Sequence, residues 1–177
     1  MIVMKFGGSS VAGVEKIRRV CAIVASRLEK KPIIVASAFR GVTDELLALA
    51  HDSLRNDRGR LGSIRRTHEL AAKELGVSFE LLRPCFEELE GVVNGIALLK
   101  ELTPRTLDMV AGFGERLSTR LIAPALAREN IPARQIDASE AGLITDERFG
   151  QASPLPEADE RLKETFSSIV EIPVVTG

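Results

Sequence analysis

Cysteine and histidine are scarce in this chain of 177 residues, which has two of each. Cys21 and Cys85 lack CxxC spacing and His51 lies far from His68, so no metal cluster or redox motif is encoded and the thiols are expected to be reduced and structural. An excess of either charge is also missing, with 24 Lys and Arg against 25 Asp and Glu. That balance gives neither nucleic acid nor an anionic membrane an electrostatic reason to bind. No apolar run approaches the roughly 18–20 residues of a membrane span, and the N-terminus lacks the basic-then-apolar layout of a signal peptide. These absences point to a cytoplasmic protein of about one domain that handles a small molecule.

The pattern that is present alternates strand and helix. Ile2–Phe6 is an apolar run ended by Gly7-Gly8, which reads as a buried strand entering a tight turn. Val14, Ile17, Cys21, Val24 and Leu28 repeat every three or four residues and form one stripe of a helix that Pro32 ends. Residues 32–36 form a second strand, and Thr43 to Leu54 is a helix with Thr43 or Asp44 as N-cap. This order predicts a parallel sheet with right-handed crossovers. From about Arg60 to Lys100 the chain is charged and helical, an excursion from the sheet. Thr103-Pro104 opens a long helix running to about Ala127. Strands are expected at 134–137, 143–145 and 172–176, and a helix over Ala158 to Val170. A chain ending on a buried parallel strand predicts an incomplete domain.

Four stretches could carry chemistry. In "KFGGSS", Lys5 to Ser10, the lysine precedes the glycines, so the P-loop pattern GxxxxGK followed by Ser or Thr is absent. At a strand's carboxyl end this stretch serves equally well as a phosphate cradle and as a plain Gly-Gly turn with Ser9 or Ser10 capping the next helix. "SAFRGVT", Ser37 to Thr43, places two hydroxyls and a glycine after the second strand, although Thr43 alone reads as a helix cap. In "AGFGERLST", Gly112 and Gly114 each cost a helix interior about 1 kcal/mol relative to alanine, which close approach of a ligand or backbone would offset. Glu115 beside them then offers a partly buried carboxylate to a cation. The alternative is a surface glutamate paired with Arg116 or Arg120. "DASEAGLITDERFG" brings Asp137, Glu140, Asp146 and Glu147 close in sequence but without calcium-loop spacing, and reads as a solvated turn. His51 and His68, in polar helical surroundings, are expected at the surface.

Together these stretches resemble aspartate kinases of the amino acid kinase family. "KFGGSSVA" is similar to their N-terminal signature, "SAFRGVT" to their second substrate loop and "GERLS" to a helical Gly-Glu-x-x-Ser element. "ITDERFGQASP" and "IPVVTG" follow in the family's order. The second loop departs from commoner versions by having Phe39-Arg40 where small residues are frequent. The resemblance implies a three-layer αβα sandwich around a mainly parallel sheet, with residues 1–177 forming the amino-acid-binding lobe of the kinase domain. It also implies phosphorylation of the β-carboxylate of L-aspartate by ATP with Mg²⁺, serving lysine, threonine and methionine synthesis. Carried over by position, Lys5, Gly7, Gly8 and Ser9 would hold phosphate, with Lys5 catalytic, while Ser37, Thr43 and Glu115 would bind the amino acid and no residue would ligate a metal. In the family a nucleotide lobe and a regulatory module follow the strand that ends this chain, so the isolated lobe is expected to be inactive or nearly so. A non-catalytic module that docks on a complete kinase is the competing expectation, and homo-oligomer formation is left open.

Overall fold

The computed structural model describes residues 1–177. Four parallel strands form one sheet: β1 (Ile2–Phe6), β2 (Pro32–Ala36), β3 (Ala133–Ile136) and β4 (Ile172–Thr176). Their order is β1-β2-β4-β3, so the last strand of the chain lies inside the sheet. Lys5 pairs with Val35 and Val35 with Val175, which aligns the carboxyl ends of the strands along one edge.

Six helices surround the sheet: α1 (Val14–Ala25), α2 (Val42–Ser53), α3 (Gly59–Leu75), α4 (Arg83–Leu99), α5 (Pro104–Arg128) and α6 (Ala158–Ser168). Phe6, Ile34, Ala36 and Val174 join a hydrophobic cluster of 36 buried residues with α1, α2 and α5 on one sheet face. Helices α3 and α4 pack outside α2 and α5 as a further layer. On the opposite face α6 presents Leu162 and Phe166 to an apolar groove that Ile33, Val35 and Val175 also line. Val3, on this face of β1, keeps 67% of its surface exposed. The three expected layers are present, the second helical one being α6 alone.

Local departures from the sequence pattern have identifiable causes. Helix α1 stops at Ala25, and a single 3₁₀ turn, Leu28–Lys30, carries Leu28 out of the stripe to 40% exposure. Thr43 does not cap α2: Gly41, at φ 81°, precedes the helix, which begins at Val42. The left-handed turn that glycine allows takes the place a side-chain cap would have filled. Neither Ser9 nor Ser10 caps α1, which begins after Gly13 without a side-chain cap. The strand expected at 143–145 is only an isolated antiparallel bridge between Thr145 and Pro154. Thr103 does cap α5, its Oγ1 accepting from the Thr106 amide at 3.1 Å. No helix is long and apolar enough to cross a membrane.

Candidate active site

Parallel strands bring their following loops to one edge, where main-chain groups are left for a ligand. The strand ends are tied there by Ser37 N–H to Phe6 O (3.0 Å) and Gly177 N–H to Ala36 O (3.1 Å). The Ala138 amide continues the row by donating to Thr176 Oγ1 at 2.8 Å.

The first loop, residues 7–13, lies against the second. A Cβ on Gly8 would stand 3.3 Å from the Ala38 carbonyl oxygen, whereas one on Gly7 would meet nothing within 4 Å. Gly8 is therefore needed for contact, while Gly7 leaves space. Ser9 and Ser10 are exposed, and so is Lys5, one residue before Phe6 closes β1. Lys5 occupies the sheet face that also carries Val3 and Val35.

The second loop, residues 37–41, is fastened to α5. Ser118, fully buried, donates its hydroxyl to the Ser37 carbonyl at 2.8 Å. The Ala38 amide donates to Glu115 Oε1 at 3.4 Å. Gly114 makes this approach possible, since a Cβ there would fall 2.6 Å from the Ala38 methyl. Ser37 and Thr43 are both half-buried, with Thr43 in the first turn of α2.

Gly112 has nothing within 4 Å of a would-be Cβ and faces a cavity of about 450 Å³ beside Glu115. The two glycines of α5 thus have different causes: Gly114 admits the second loop and Gly112 keeps a cavity open. Five carboxylates line this cavity, those of Glu88, Asp108, Glu115, Asp137 and Glu140, against the single cation of Arg116.

That cation is already paired. Arg116 Nη2 donates to Glu88 Oε2 at 2.6 Å and Nε to Asp137 Oδ2 at 3.1 Å. Arg120 Nη1 and Gln135 Nε2 donate to Asp137 Oδ1 at 3.1 and 2.6 Å. Burial opposes the Asp137 charge, yet Arg120 first, then Arg116 and Gln135, hold its carboxyl below the usual range. Asp137 is thus a structural hub that ties α5 to the end of β3. No group of three or more His, Cys, Asp or Glu side chains converges to hold a metal ion.

Glu115 differs from its neighbours. It pairs with neither Arg116 nor Arg120, whose guanidinium groups donate instead to Glu88, Asp137 and the Arg116 carbonyl. Burial pushes its pKa up, against the weaker effect of main-chain hydrogen bonds that include the Ala38 amide. The site therefore contains a desolvated carboxylate with no cationic partner, a good receptor for an ammonium group. The structure brings Ser37, Glu115 and the first loop to one edge of the sheet. His68, by contrast, is wholly buried rather than at the surface. Its place four residues after Ile64 and three before Ala71, in the buried stripe of α3, is the available signal. The Arg116–Asp137 network also escapes the sequence pattern, because it joins α5 to the end of β3.

A parallel α/β sheet with a glycine turn and an acidic cavity of about 450 Å³ at its carboxyl edge defines a small-molecule site of the α/β class. The chain matches the amino acid kinase family over residues 1–177 and belongs to it. Its relatives within that family include aspartokinases. It is 37% identical over 185 residues to "Aspartokinase 1, chloroplastic" of Arabidopsis thaliana, covering 99% of this chain and 32% of that protein. It is 33% identical over 159 residues to the aspartokinase of Chlamydia trachomatis, covering 86% of this chain and 34% of the relative. The solved structure of E. coli aspartokinase III in complex with aspartate and ADP superposes with a TM-score of 0.82 at 26% identity, over 100% of this chain and 40% of that one. The chain thus spans about a third of the length of these curated relatives.

Proposed function

We propose that these residues form the amino-acid-binding lobe of an aspartate kinase, which transfers the γ-phosphoryl group of ATP to the β-carboxylate of L-aspartate and yields 4-phospho-L-aspartate. This step would feed lysine, threonine and methionine synthesis. The observation that carries the reading is Glu115, a desolvated carboxylate without a cation, placed to receive an α-ammonium group. The relatives' names and the aspartate and ADP named for the E. coli enzyme support it.

The chemistry suits the residues. An aspartate side chain in water, with a pKa of about 4, is already ionised at neutral pH, so no general base is required. A β-carboxylate oxygen attacks the γ-phosphorus while the bond to the ADP oxygen breaks, and ADP leaves with that electron pair without any proton transfer. Glu115 holds the α-ammonium group, and the hydroxyls of Ser37 and Thr43 fix the orientation of the amino acid. Lys5 neutralises charge on the phosphoryl oxygens, with Gly7, Gly8 and Ser9 forming the turn around them. Mg²⁺ bound to the nucleotide phosphates would add further charge neutralisation there. A single lysine and one glycine turn supply only part of that neutralisation, so the isolated lobe is expected to bind aspartate but to turn over little or none.

Calorimetry tests the reading. Aspartate should bind, N-acetylaspartate should not, and Glu115→Ala should weaken aspartate at least tenfold, about the loss of one charge-assisted contact of 1.5–3 kcal/mol. Equal binding of the acetylated compound would rule out Glu115 as the ammonium receptor. Hydroxamate trapping measures turnover by the lobe. The open apolar face around Val3 and Val35 favours a second reading, in which the lobe docks on a separate kinase chain. Restored ATP turnover on mixing with a chain carrying the nucleotide lobe would support it.

A further inference from the structure

The chain has only seven phenylalanines and no other aromatic residue of the Phe, Tyr and Trp class, yet two of them pack on one histidine and a third packs on one of those two. Phe39, at the centre of the second loop, stacks on His68 with ring centroids 4.9 Å apart and planes 11° apart. The imidazole also meets Phe86 edge-on at 6.0 Å, and Phe86 lies 5.7 Å from Phe79. The Arg65 guanidinium covers Phe79 and Phe86 at 5.5 and 5.6 Å. This row runs from the second loop through α3 to α4, so the helical excursion has a path of contact to the candidate site.

We propose that His68 is a positioning residue for the second loop: its imidazole is the platform that fixes Phe39, and through Phe39 the Ala38 and Ser37 groups beside Glu115. The aspartate part of this inference rests on the proposed function. Residues 37–41 have no regular secondary structure, and the hydrogen bonds that α5 makes to them are those of Ser118 and the long Ala38–Glu115 bond, beside the packing of Gly114 on Ala38. The Phe39 ring lies against His68 of α3, so the loop is held by a second helix as well. Gly8 rests on the Ala38 carbonyl, which extends the effect to the first loop.

The imidazole orientation is itself fixed. His68 Nδ1 lies 2.8 Å from the Ile64 carbonyl oxygen and must donate its proton there. Nε2 is then a bare acceptor, and it is buried without a partner. An orphan acceptor destabilises a core, and a leucine would fill the same stripe of α3 without one. The ring that stacks on Phe39 is what a leucine cannot supply.

Amide exchange of the ligand-free protein and aspartate calorimetry, read on the same variants, test the proposal. His68→Leu should speed exchange of the Ala38 amide, bonded to Glu115, and of the Val42 amide, which donates to the Phe39 carbonyl at 2.9 Å, and weaken aspartate about three- to tenfold, the range of one aromatic stack. His68→Phe, which keeps the ring, should restore both to within about twofold of the original. Phe39→Leu removes the same stack from the loop side, and combining it with His68→Leu should add nothing further. Unchanged exchange in His68→Leu, failure of His68→Phe to restore it, or simple additivity of the two leucine variants would each overturn the proposal. If the unmodified chain binds no aspartate, the proposed function fails, while the exchange rates still decide the role of His68.

Discussion

The two loops at the strand ends are built from similar small residues and behave differently. Residues 7–13 have exposed serines, an open position at Gly7 and internal turns such as Ser10 N–H to Gly7 O at 2.8 Å. Residues 37–41 are held by Ser118, Glu115 and the Phe39–His68 stack, and Ala38 and Phe39 are buried. A loop with exposed hydroxyls and space can close on a ligand that brings its own charge, such as a phosphate chain. A loop clamped between two helices is instead a rigid edge, which suits recognition of a small amino acid in one orientation.

Substitutions should separate the two loops, and the largest effect is expected where the clamp is tightest. Gly114→Ala puts a methyl 2.6 Å from the Ala38 methyl. Overpacking of about 1–3 kcal/mol, less the roughly 1 kcal/mol that alanine returns to a helix, leaves a net destabilisation of up to about 2 kcal/mol in urea unfolding. Aspartate affinity should fall with it. Gly112→Ala, two residues away and free of neighbours, is the control: it should stabilise the helix by up to about 1 kcal/mol while narrowing the cavity. Equal effects at both glycines would show that α5 does not press on the second loop.

Ser118→Ala comes next. Loss of the buried bond to Ser37 should cost about 1 kcal/mol and speed exchange in the second loop without changing the first.

Glu115→Gln is expected to separate stability from binding. Burial raises the Glu115 pKa in the folded chain, so between the unfolded and folded values the folded state binds more protons than the unfolded one. The stability this group contributes is fully present below the unfolded pKa of about 4.3 and is lost as pH rises through the folded pKa. Urea midpoints at pH 7 should therefore be higher for Glu115→Gln than for the original chain, and the difference should vanish below about pH 4, although aspartate binds less well. A lower midpoint at pH 7 would mean that Glu115 has a cationic partner in solution. The smallest change in stability, within about 0.5 kcal/mol, is expected for Ser9→Ala on the open loop, where only nucleotide binding should respond.

The parts of the site differ in legibility for a shared reason. Gly112, Gly114 and Glu115 stand out in the sequence because two glycines inside a long helix need a cause, but the pattern does not tell which glycine faces a loop and which a cavity. That depends on where α5 lies against residues 37–41. His68 reads as a surface residue because Arg66, Thr67 and Glu69 around it are polar, while its spacing to Ile64 and Ala71 carries the opposite message. Thr43 has the chemistry of a cap, yet Gly41 ends the preceding turn without needing a side chain. Leu28 falls out of its helix because the chain must turn before Pro32.

Local pattern was enough to specify the strands at 2–6, 32–36 and 172–176, the amphipathic helices between them and the placement of small and hydroxyl residues directly after strands, because periodicity and turn chemistry act over a few residues. Long-range packing set the rest: β4 enters between β2 and β3, Arg116 and Arg120 are consumed by Glu88 and Asp137, and Glu115 is left desolvated and without a cation. Strand order and charge pairing depend on contacts between groups far apart in the chain, and a carboxylate becomes a receptor only when packing has removed its water and given the nearby cations other partners.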